Sequence, residues 1–421
     1  MRVLWISNIT FPEAIILIKG SGEIKGSGGW LIGLADALTI NEGIDLHIAS
    51  ISDLVHDLTT ISGRSITYHI IPHGKGDKKY NTEYEKYYLR ILDVVEPDIV
   101  HIHGTEYPHS LAALKACGRE KTVVSIQGMV SVIARYNLAG ISKWEAVKNL
   151  TIHDLIRGGI IRQQKRMFHN AFYEEELLHE AKYVIGRTSF DRQHTWAINP
   201  DIHYYHCDEI LRKEFYESDS WNYNKCIPHS IFLSQSSTPI KGLHKVIEAL
   251  RLVIKQYPDI QLRVAGQDIL HSDEGWKACF RMTGYGKIIK KLISKYNLQS
   301  HITFLGRQNA LDMVKEYHRA NIFLCPSIIE NSPNSLGEAQ LLGVPCIGAY
   351  VGGVPDMMLG DESHLYRYDD VEMLAYKICD IFDKNNSFST ESMQRSAQTR
   401  HNPERCIDCV SKVYNIILNK E

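Results

Sequence analysis

A chain of 421 residues is too long for one hydrophobic core and calls for two domains of about 200 residues each. Its composition, 44% hydrophobic and 23% charged, is that of an ordinary globular protein and excludes a disordered or fibrous chain. The net charge of −2 argues against a broad electrostatic footprint for nucleic acid, and no apolar run approaches a membrane span, so any membrane contact is peripheral.

Arg2–Ser7 (RVLWIS) is a buried-strand run. The next helix, Trp30–Ile40, is entered through a turn containing Gly28 and Gly29, where backbone can approach a phosphate closely. A long insert, Phe11–Lys25, separates strand from glycines, so the dinucleotide fingerprint fits poorly. Strand patterns follow at Asp45–Ser50, Ile66–Ile71, Asp98–His103 and Thr122–Ile126, alternating with helical patterns such as Tyr84–Val95 and Leu111–Cys117. This rhythm predicts a parallel, doubly wound sheet with its site at the carboxyl ends of the strands. His103 sits at such an end and shares a strand face with His101, which suits a ligand contact and a core histidine equally. Gln127 closes the following strand.

From Ile141 to Lys182 the pattern predicts long helices with clustered cations, Lys143, Lys148, Arg157, Arg162, Lys165 and Arg166. Glu145, His153 and Asp154 interrupt them, which favours a solvated helix face over a bilayer-docking surface. Arg212–Lys225 is charged, aromatic and aperiodic, and reads as a linker with the domain boundary near Trp221. The expected division is therefore 1–220, 221–401 and a terminal helix within 402–421 that braces the first domain. The second half repeats the rhythm, with strands at His229–Ser234, Gln261–Ala265, His301–Gly306 and Ile322–Cys325 and helices at Leu243–Gln256, Trp276–Tyr296 and Ala310–Ala320. Cys406 and Cys409 form a lone C-x-x-C on the terminal helix, read as packing residues rather than zinc ligands.

The densest signal is Pro326–Pro355. After strand Ile322–Cys325 it reads as a polar loop (Ser327–Asn334), a helix (Ser335–Leu342), a short strand (Pro345–Ala349) and a turn with Gly352 and Gly353. A loop opening into a helix N-terminus presents unpaired N–H groups and a positive dipole end, which suits a phosphate. Glu330 lies in the loop and Glu338 in the helix, with seven residues between them. This Glu-x7-Glu block, together with Lys241-Gly242, resembles glycosyltransferase family 4, retaining nucleotide-sugar transferases of the GT-B fold.

The resemblance implies an α/β chain of two Rossmann-like doubly wound domains facing across a cleft. Gly28, Gly29, Lys241 and the groups around Ser332, Asn334 and Ser335 would take the donor diphosphate, and Pro333, which has no N–H, would take no part. Glu330 and Lys241 would be the catalytic residues. Glu330 would also hold sugar hydroxyls, with His103 and Gln127 facing the transferred sugar. Glu338 would bind the ribose diol, and backbone at Leu305, Gly306 and Arg307 would read the base. Two positions depart from the family. Ser236 stands where an Arg precedes Lys-Gly, and Gln127 stands where many members have His, so it binds without moving a proton.

No Asp-x-Asp pair closes a strand in a metal-binding context, so a metal-independent transferase is expected, with no cofactor beyond the nucleotide sugar as co-substrate. The implied reaction moves a sugar with retention to a saccharide or lipid-linked acceptor, in cell-surface polysaccharide synthesis. Ser236 and Gln127 keep open a degenerate module that binds sugar nucleotide without turnover; a GT-B phosphorylase or epimerase is the other alternative. The opening MRVLWISNITF lacks a secretory leader pattern and the nine cysteines lack framework spacing, so a cytoplasmic location is expected, with peripheral contact at the inner membrane face as the membrane option.

Overall fold

The computed structural model describes residues 1–20, 29–41, 43–73, 80–271, 278–384 and 389–419. The chain forms two compact units, one from residues 1–132, 167–212 and 400–421, the other from 133–166 and 213–399. This differs from the expected division in two places. Residues 133–166 join the second unit, and the change of unit near the middle falls at Arg212–Lys213 rather than at Trp221. Trp221 is no loose linker residue. Its amide donates to the Leu342 carbonyl at 2.7 Å and its indole N–H to the Ala320 carbonyl at 2.8 Å, fixing the segment to the second unit.

The first unit is built on strands β1 (Arg2–Ser7), β2 (Asp45–Ser52), β3 (Thr59–Ser62), β4 (Ile66–Pro72), β5 (Ile99–His103), β6 (Thr122–Ser125), β7 (Tyr183–Gly186) and β8 (His203–His206). Their order across the sheet is β3-β4-β2-β1-β5-β6-β7-β8, and every pair is parallel except β3 with β4. The continuous apolar runs of β1 and β5–β7 are buried throughout apart from Arg2, as a parallel sheet covered on both faces requires. The terminal helix, Pro403–Leu418, packs in this unit, and its Tyr414 hydroxyl accepts from the Trp5 indole at 3.0 Å and lies 2.7 Å from His101 Nδ1. The other His101 nitrogen meets Ser125 Oγ at 2.6 Å. A fully buried chain of Trp, Tyr, His and Ser is thus hydrogen-bonded end to end, where each unmatched group would cost about 1–3 kcal/mol.

Among the described residues the second unit has six parallel strands, β9 (Ser230–Leu233), β10 (Gln261–Ala265), β11 (Ile302–Gly306), β12 (Ile322–Cys325), β13 (Cys346–Ala349) and β14 (Leu365–Tyr366). Their order is β11-β10-β9-β12-β13-β14. From β9 the chain winds outward to β11, then returns to β12 and winds the other way. The carboxyl ends of β9 and β12 therefore flank a topological switch point, where the loops diverge and leave a crevice.

Candidate functional site

Two loops leave that switch point. The one after β9 runs through Ser234–Gly242 into the helix Leu243–Val253, and the one after β12 runs through Pro326–Pro333 into the helix Asn334–Leu342, the site helix. The Ile328 amide donates to the Ile240 carbonyl at 2.8 Å, tying the loops together. Two glycines allow close backbone approach here, Gly242 between these two loops and Gly352 between the second of them and the turn after β13. Gly242 has φ +75°, and a Cβ there would sit 2.0 Å from the Pro326 carbonyl oxygen. Gly352 has φ +52°, with a virtual Cβ only 1.8 Å from the Glu330 carbonyl oxygen, and the neighbouring Gly353 amide donates to that oxygen at 3.1 Å.

The convergence puts chemistry in one small cleft lined by Ser234, Gln235, Lys241, Ser327, Glu330 and Ser335. The Lys241 ammonium lies 2.5 Å from Glu330 Oε1, which also accepts from Ser327 Oγ at 2.7 Å. Burial pulls the Lys241 pKa down, but the Glu330 carboxylate more than offsets this and holds it above the ordinary lysine value. Lys241 is thus a fixed cation. Facing it, the site helix begins at Pro333 with no side-chain cap, and Pro333 contributes its carbonyl to Leu336 and Gly337. Among the described residues Asn334 Oδ1 is buried without a hydrogen-bond partner. An uncapped helix mouth beside an ammonium is an anion site in the making.

Of the residues expected from the sequence, Lys241, Glu330 and Ser335 share this cleft. Ser332 and Asn334 flank it on the same loop and helix mouth, with Ser332 Oγ 3.8 Å from Met357 Sδ. Glu338 follows Ser335 by one helical turn and is 4% exposed, with Tyr317 Oη 3.4 Å from its Oε2. Tyr317 also donates to the Ser335 carbonyl at 2.8 Å, so one hydroxyl steadies both residues. Leu305, Gly306 and Arg307 lie at the end of β11, two strands from β9. There the Gly266 amide donates to the Gly306 carbonyl at 2.9 Å and Gln308 Nε2 donates to the Leu305 carbonyl at 2.6 Å. Ser236 is buried, at 1% exposure, and its Oγ has no hydrogen-bond partner among the described residues; Ser234 and Gln235 line the cleft instead.

In the first unit His103 and Gln127 stand at the ends of neighbouring strands β5 and β6. His103 is buried, its ring 3.8 Å from that of His101 and 4.3 Å from that of Trp5, and burial keeps its pKa well below the ordinary histidine value. It is a neutral imidazole embedded in the core. Gly28 lies outside the described residues, and Gly29 begins the helix Gly29–Asn41.

The sequence reading missed a polar cluster beside His103. At the ends of β1 and β5, Asn8 Nδ2 donates to Glu106 Oε2 at 3.3 Å, while Asn8 Oδ1 lies 2.7 Å from His109 Nε2. Glu174 is fully buried nearby. It accepts from Thr105 Oγ1 at 2.5 Å and from the Val130 and Ser131 amides at 3.0 and 2.7 Å, capping the helix that starts at Val130. Burial, reinforced by Glu174, pushes the Glu106 carboxyl up to about 7. A carboxyl with a raised folded pKa holds its proton more tightly folded than unfolded, so its contribution to stability falls as pH rises from the ordinary carboxyl range towards 7. Glu106→Gln removes that penalty. Denaturant titrations should show the variant close to the parent at pH 5 and more stable by about 2 kcal/mol at pH 8. A constant difference across that range would sink the assignment.

The cationic stretch also differs from expectation. It is two short helices, Lys143–Lys148 and Ile152–Arg157, before the long helix Ile160–Glu180. Asp154 is not a surface charge. It closes a capping box with Thr151 and accepts from the Gly284 amide at 2.7 Å, at 6% exposure. Alongside exposed charges such as Lys143, Glu145, Lys148 and Arg157, large apolar side chains also face outward, with Trp144 75%, Leu155 71% and Ile156 74% exposed. Beside them an apolar pocket is lined by Leu150, Leu155, Ile160, Ile161 and Ile288, with Arg162 and Lys165 at its edge. Among the described residues no helix is long and apolar enough to cross a membrane.

Residues 228–400 match the family described as glycosyl transferases group 1. A putative colanic acid biosynthesis glycosyltransferase, WcaL, of Salmonella typhimurium is 25% identical over 172 residues, 38% of this chain and 39% of that one. A GDP-mannose-dependent monoacylated alpha-(1-6)-phosphatidylinositol monomannoside mannosyltransferase of Corynebacterium glutamicum is 26% identical over 34% of this chain and 35% of its own length. The matched stretches thus span little more than a third of these relatives. Across the full length of both chains, the fold is similar to that of sucrose-phosphate synthase from Thermosynechococcus elongatus, with a TM-score of 0.70 at 16% identity. The switch-point cleft falls wholly inside the matched region. Residues 228–400 thus match the group 1 glycosyl transferases, and the chain as a whole is similar to family 4 glycosyltransferases in a fold of the GT-B type.

Proposed function

We propose that this chain is a retaining transferase that moves a sugar from a nucleoside-diphosphate sugar to a saccharide or lipid-linked acceptor. The observation that carries the reading is the meeting of the Lys241 ammonium, the Glu330 carboxylate and the uncapped mouth of the site helix in one cleft at the switch point. Departure of a nucleoside diphosphate builds negative charge on its β-phosphate. A fixed cation and oriented amides placed there in advance stabilise that charge without reorganising. In this reading Lys241 and the Asn334 and Ser335 amides take the diphosphate with no metal, helped by the Ser332 hydroxyl and by Gly28 and Gly29. Glu330 orients Lys241 and accepts from sugar hydroxyls, and Glu338 receives the ribose diol. The backbone of Leu305, Gly306 and Arg307 meets the base, and Gln127 contributes a neutral contact to the sugar. Retention follows when the acceptor hydroxyl enters on the face the diphosphate leaves, with the departing phosphate taking its proton.

The test is binding followed by turnover. Nucleoside diphosphates at a hundred times their dissociation constant should stabilise the chain by about 2.7 kcal/mol, seen as a raised melting temperature. The matching sugar nucleotide should then give an α-linked product by NMR when its donor linkage is α. Tight nucleotide binding with no transfer to any acceptor would instead identify a binding module, the reading to which Ser236 and Gln127 point. Inversion at the anomeric carbon would overturn the proposed mechanism.

A lipid-linked acceptor is favoured by the exposed Trp144, Leu155 and Ile156 beside Arg157, Arg162 and Lys165. Apolar side chains flanked by cations suit the interface of an anionic bilayer, where a role in cell-surface polysaccharide assembly at the cytoplasmic face would place them. The chain should co-sediment with vesicles containing phosphatidylglycerol and not with pure phosphatidylcholine. Replacing Trp144 and Leu155 by serine should reduce that binding at least tenfold. Equal binding by parent and variant removes this surface from the account.

A further inference from the structure

Eight cysteines of the described chain are thiols outside any disulfide, and one pair of them is placed for chemistry that sugar transfer does not use. Cys207 directly follows β8, and Cys409 lies in the terminal helix. Although 202 residues apart in sequence, their sulfurs are 2.8 Å apart, inside van der Waals contact. Both belong to the first unit. The surroundings give them unequal roles. Cys207 is 3% exposed and its thiol donates to the Cys409 sulfur, whereas Cys409 is half-buried and donates in turn to the His206 carbonyl oxygen at 3.0 Å.

The hydrogen bond from Cys207, aided by the nearby His206 imidazole, lowers the Cys409 pKa to about 7 against the opposing effect of burial. The bond to Cys409 and burial push the Cys207 thiol far up. Cys406, the other half of the C-x-x-C, is pushed up to about 12 by burial, and its sulfur contacts the Arg400 carbonyl at 3.7 Å. A partly accessible thiol of lowered pKa, in sulfur contact with a buried partner that stays protonated, is the arrangement of an attacking and a resolving thiol.

We propose that Cys409 and Cys207 form a peroxide-sensitive pair whose reversible disulfide fastens the terminal helix to the end of β8. The oxidant is hydrogen peroxide. The Cys409 thiolate attacks one peroxide oxygen, the O–O bond breaks, and hydroxide leaves and takes a proton to become water. The resulting Cys409 sulfenic acid is attacked by the Cys207 sulfur. The S–S bond forms as the S–O bond breaks, and the Cys207 proton departs with the hydroxyl as a second water. Two thiols are oxidised and one peroxide is reduced. The fastened helix carries Tyr414, whose hydroxyl joins Trp5 to His101 directly beneath the His103 ring. The lock therefore acts on the element that supports the end of β5. This inference is independent of the proposed transferase activity.

The folded, fully reduced chain treated with one equivalent of hydrogen peroxide should lose two hydrogen atoms by intact mass. Peptide mapping should join the peptide of Cys207 to that of Cys409, dithiothreitol should reverse the change, and the oxidised chain should melt several degrees higher. Cys409→Ser should abolish the crosslink and Cys406→Ser should retain it. If either variant fails to fold, the map of the parent chain decides alone. Retention of all thiols, an oxygen left on Cys409 without a crosslink, or a Cys406–Cys409 link would each overturn the pairing, and an unchanged melting temperature would overturn the fastening.

Discussion

Glu330→Ala is expected to lower sugar transfer about 10²–10³-fold and to destabilise the fold by about 2–3 kcal/mol. Both effects have one origin. The Lys241 and Glu330 side chains are 26% and 17% exposed, so the pair is largely withdrawn from water and each charge depends on the other. Removing the carboxylate leaves a half-buried ammonium with no counter-charge. Burial then acts unopposed on Lys241, and its pKa drops from its raised position. The sign follows directly. In the parent, Lys241 stays protonated above the ordinary lysine value and its stabilising contribution is lost only as pH rises through that raised pKa. In Glu330→Gln the loss begins at lower pH, so the alkaline limb of kcat/KM should move down the pH scale while the acid limb stays. Lys241→Ala should match Glu330→Ala in activity, with a strongly non-additive double variant, because the two act as a unit. Circular dichroism and denaturant midpoints separate this from unfolding. Undiminished turnover in folded Lys241→Ala would refute the site.

The loop from β12 to the site helix was legible because Pro and Gly punctuate it at every change of direction, and punctuation is a local signal. The alternation that predicted two parallel sheets was equally local, since the buried runs of β12 and β13 contain little that is polar. What escaped is non-local or marginal. β3 and β8 are short edge strands, and β8 reads His-Tyr-Tyr-His with both ends exposed, a pattern no periodicity separates from a loop. The predicted helix Trp276–Tyr296 begins outside the described residues and is otherwise broken into Ala278–Arg281 and Gly284–Lys295, because Thr283 caps the second piece. Asp154 looked like a charge among cations, yet its carboxylate serves Thr151 and Gly284, 130 residues away. Glu106 and Glu174 carry no motif. Their character comes from burial by distant segments, which composition around them does not encode.

Gly242→Ala and Gly352→Ala should each damage the chain more than any cleft side chain, and for a reason independent of ligand. At Gly242 the backbone adopts φ +75°, which an L side chain resists at a cost of about 1–2 kcal/mol. Steric overlap costs more. A Cβ placed 2.0 Å from the Pro326 carbonyl oxygen, or 1.8 Å from that of Glu330 in the case of Gly352, collides with backbone, which cannot swing aside as a side chain does. The loops must separate, breaking the Ile328 to Ile240 bond at one end and the Gly353 to Glu330 bond at the other. A total loss of about 3–5 kcal/mol is expected for each variant, read from denaturant midpoints, with transfer falling below detection. Gly306→Ala is the control, since it shares a positive φ of +71° but meets nothing within 4 Å. It should lose only the conformational part, about 1–2 kcal/mol. Equal losses at Gly306 and Gly242 would show that backbone conformation, rather than the close approach of the two loops, is what these glycines provide.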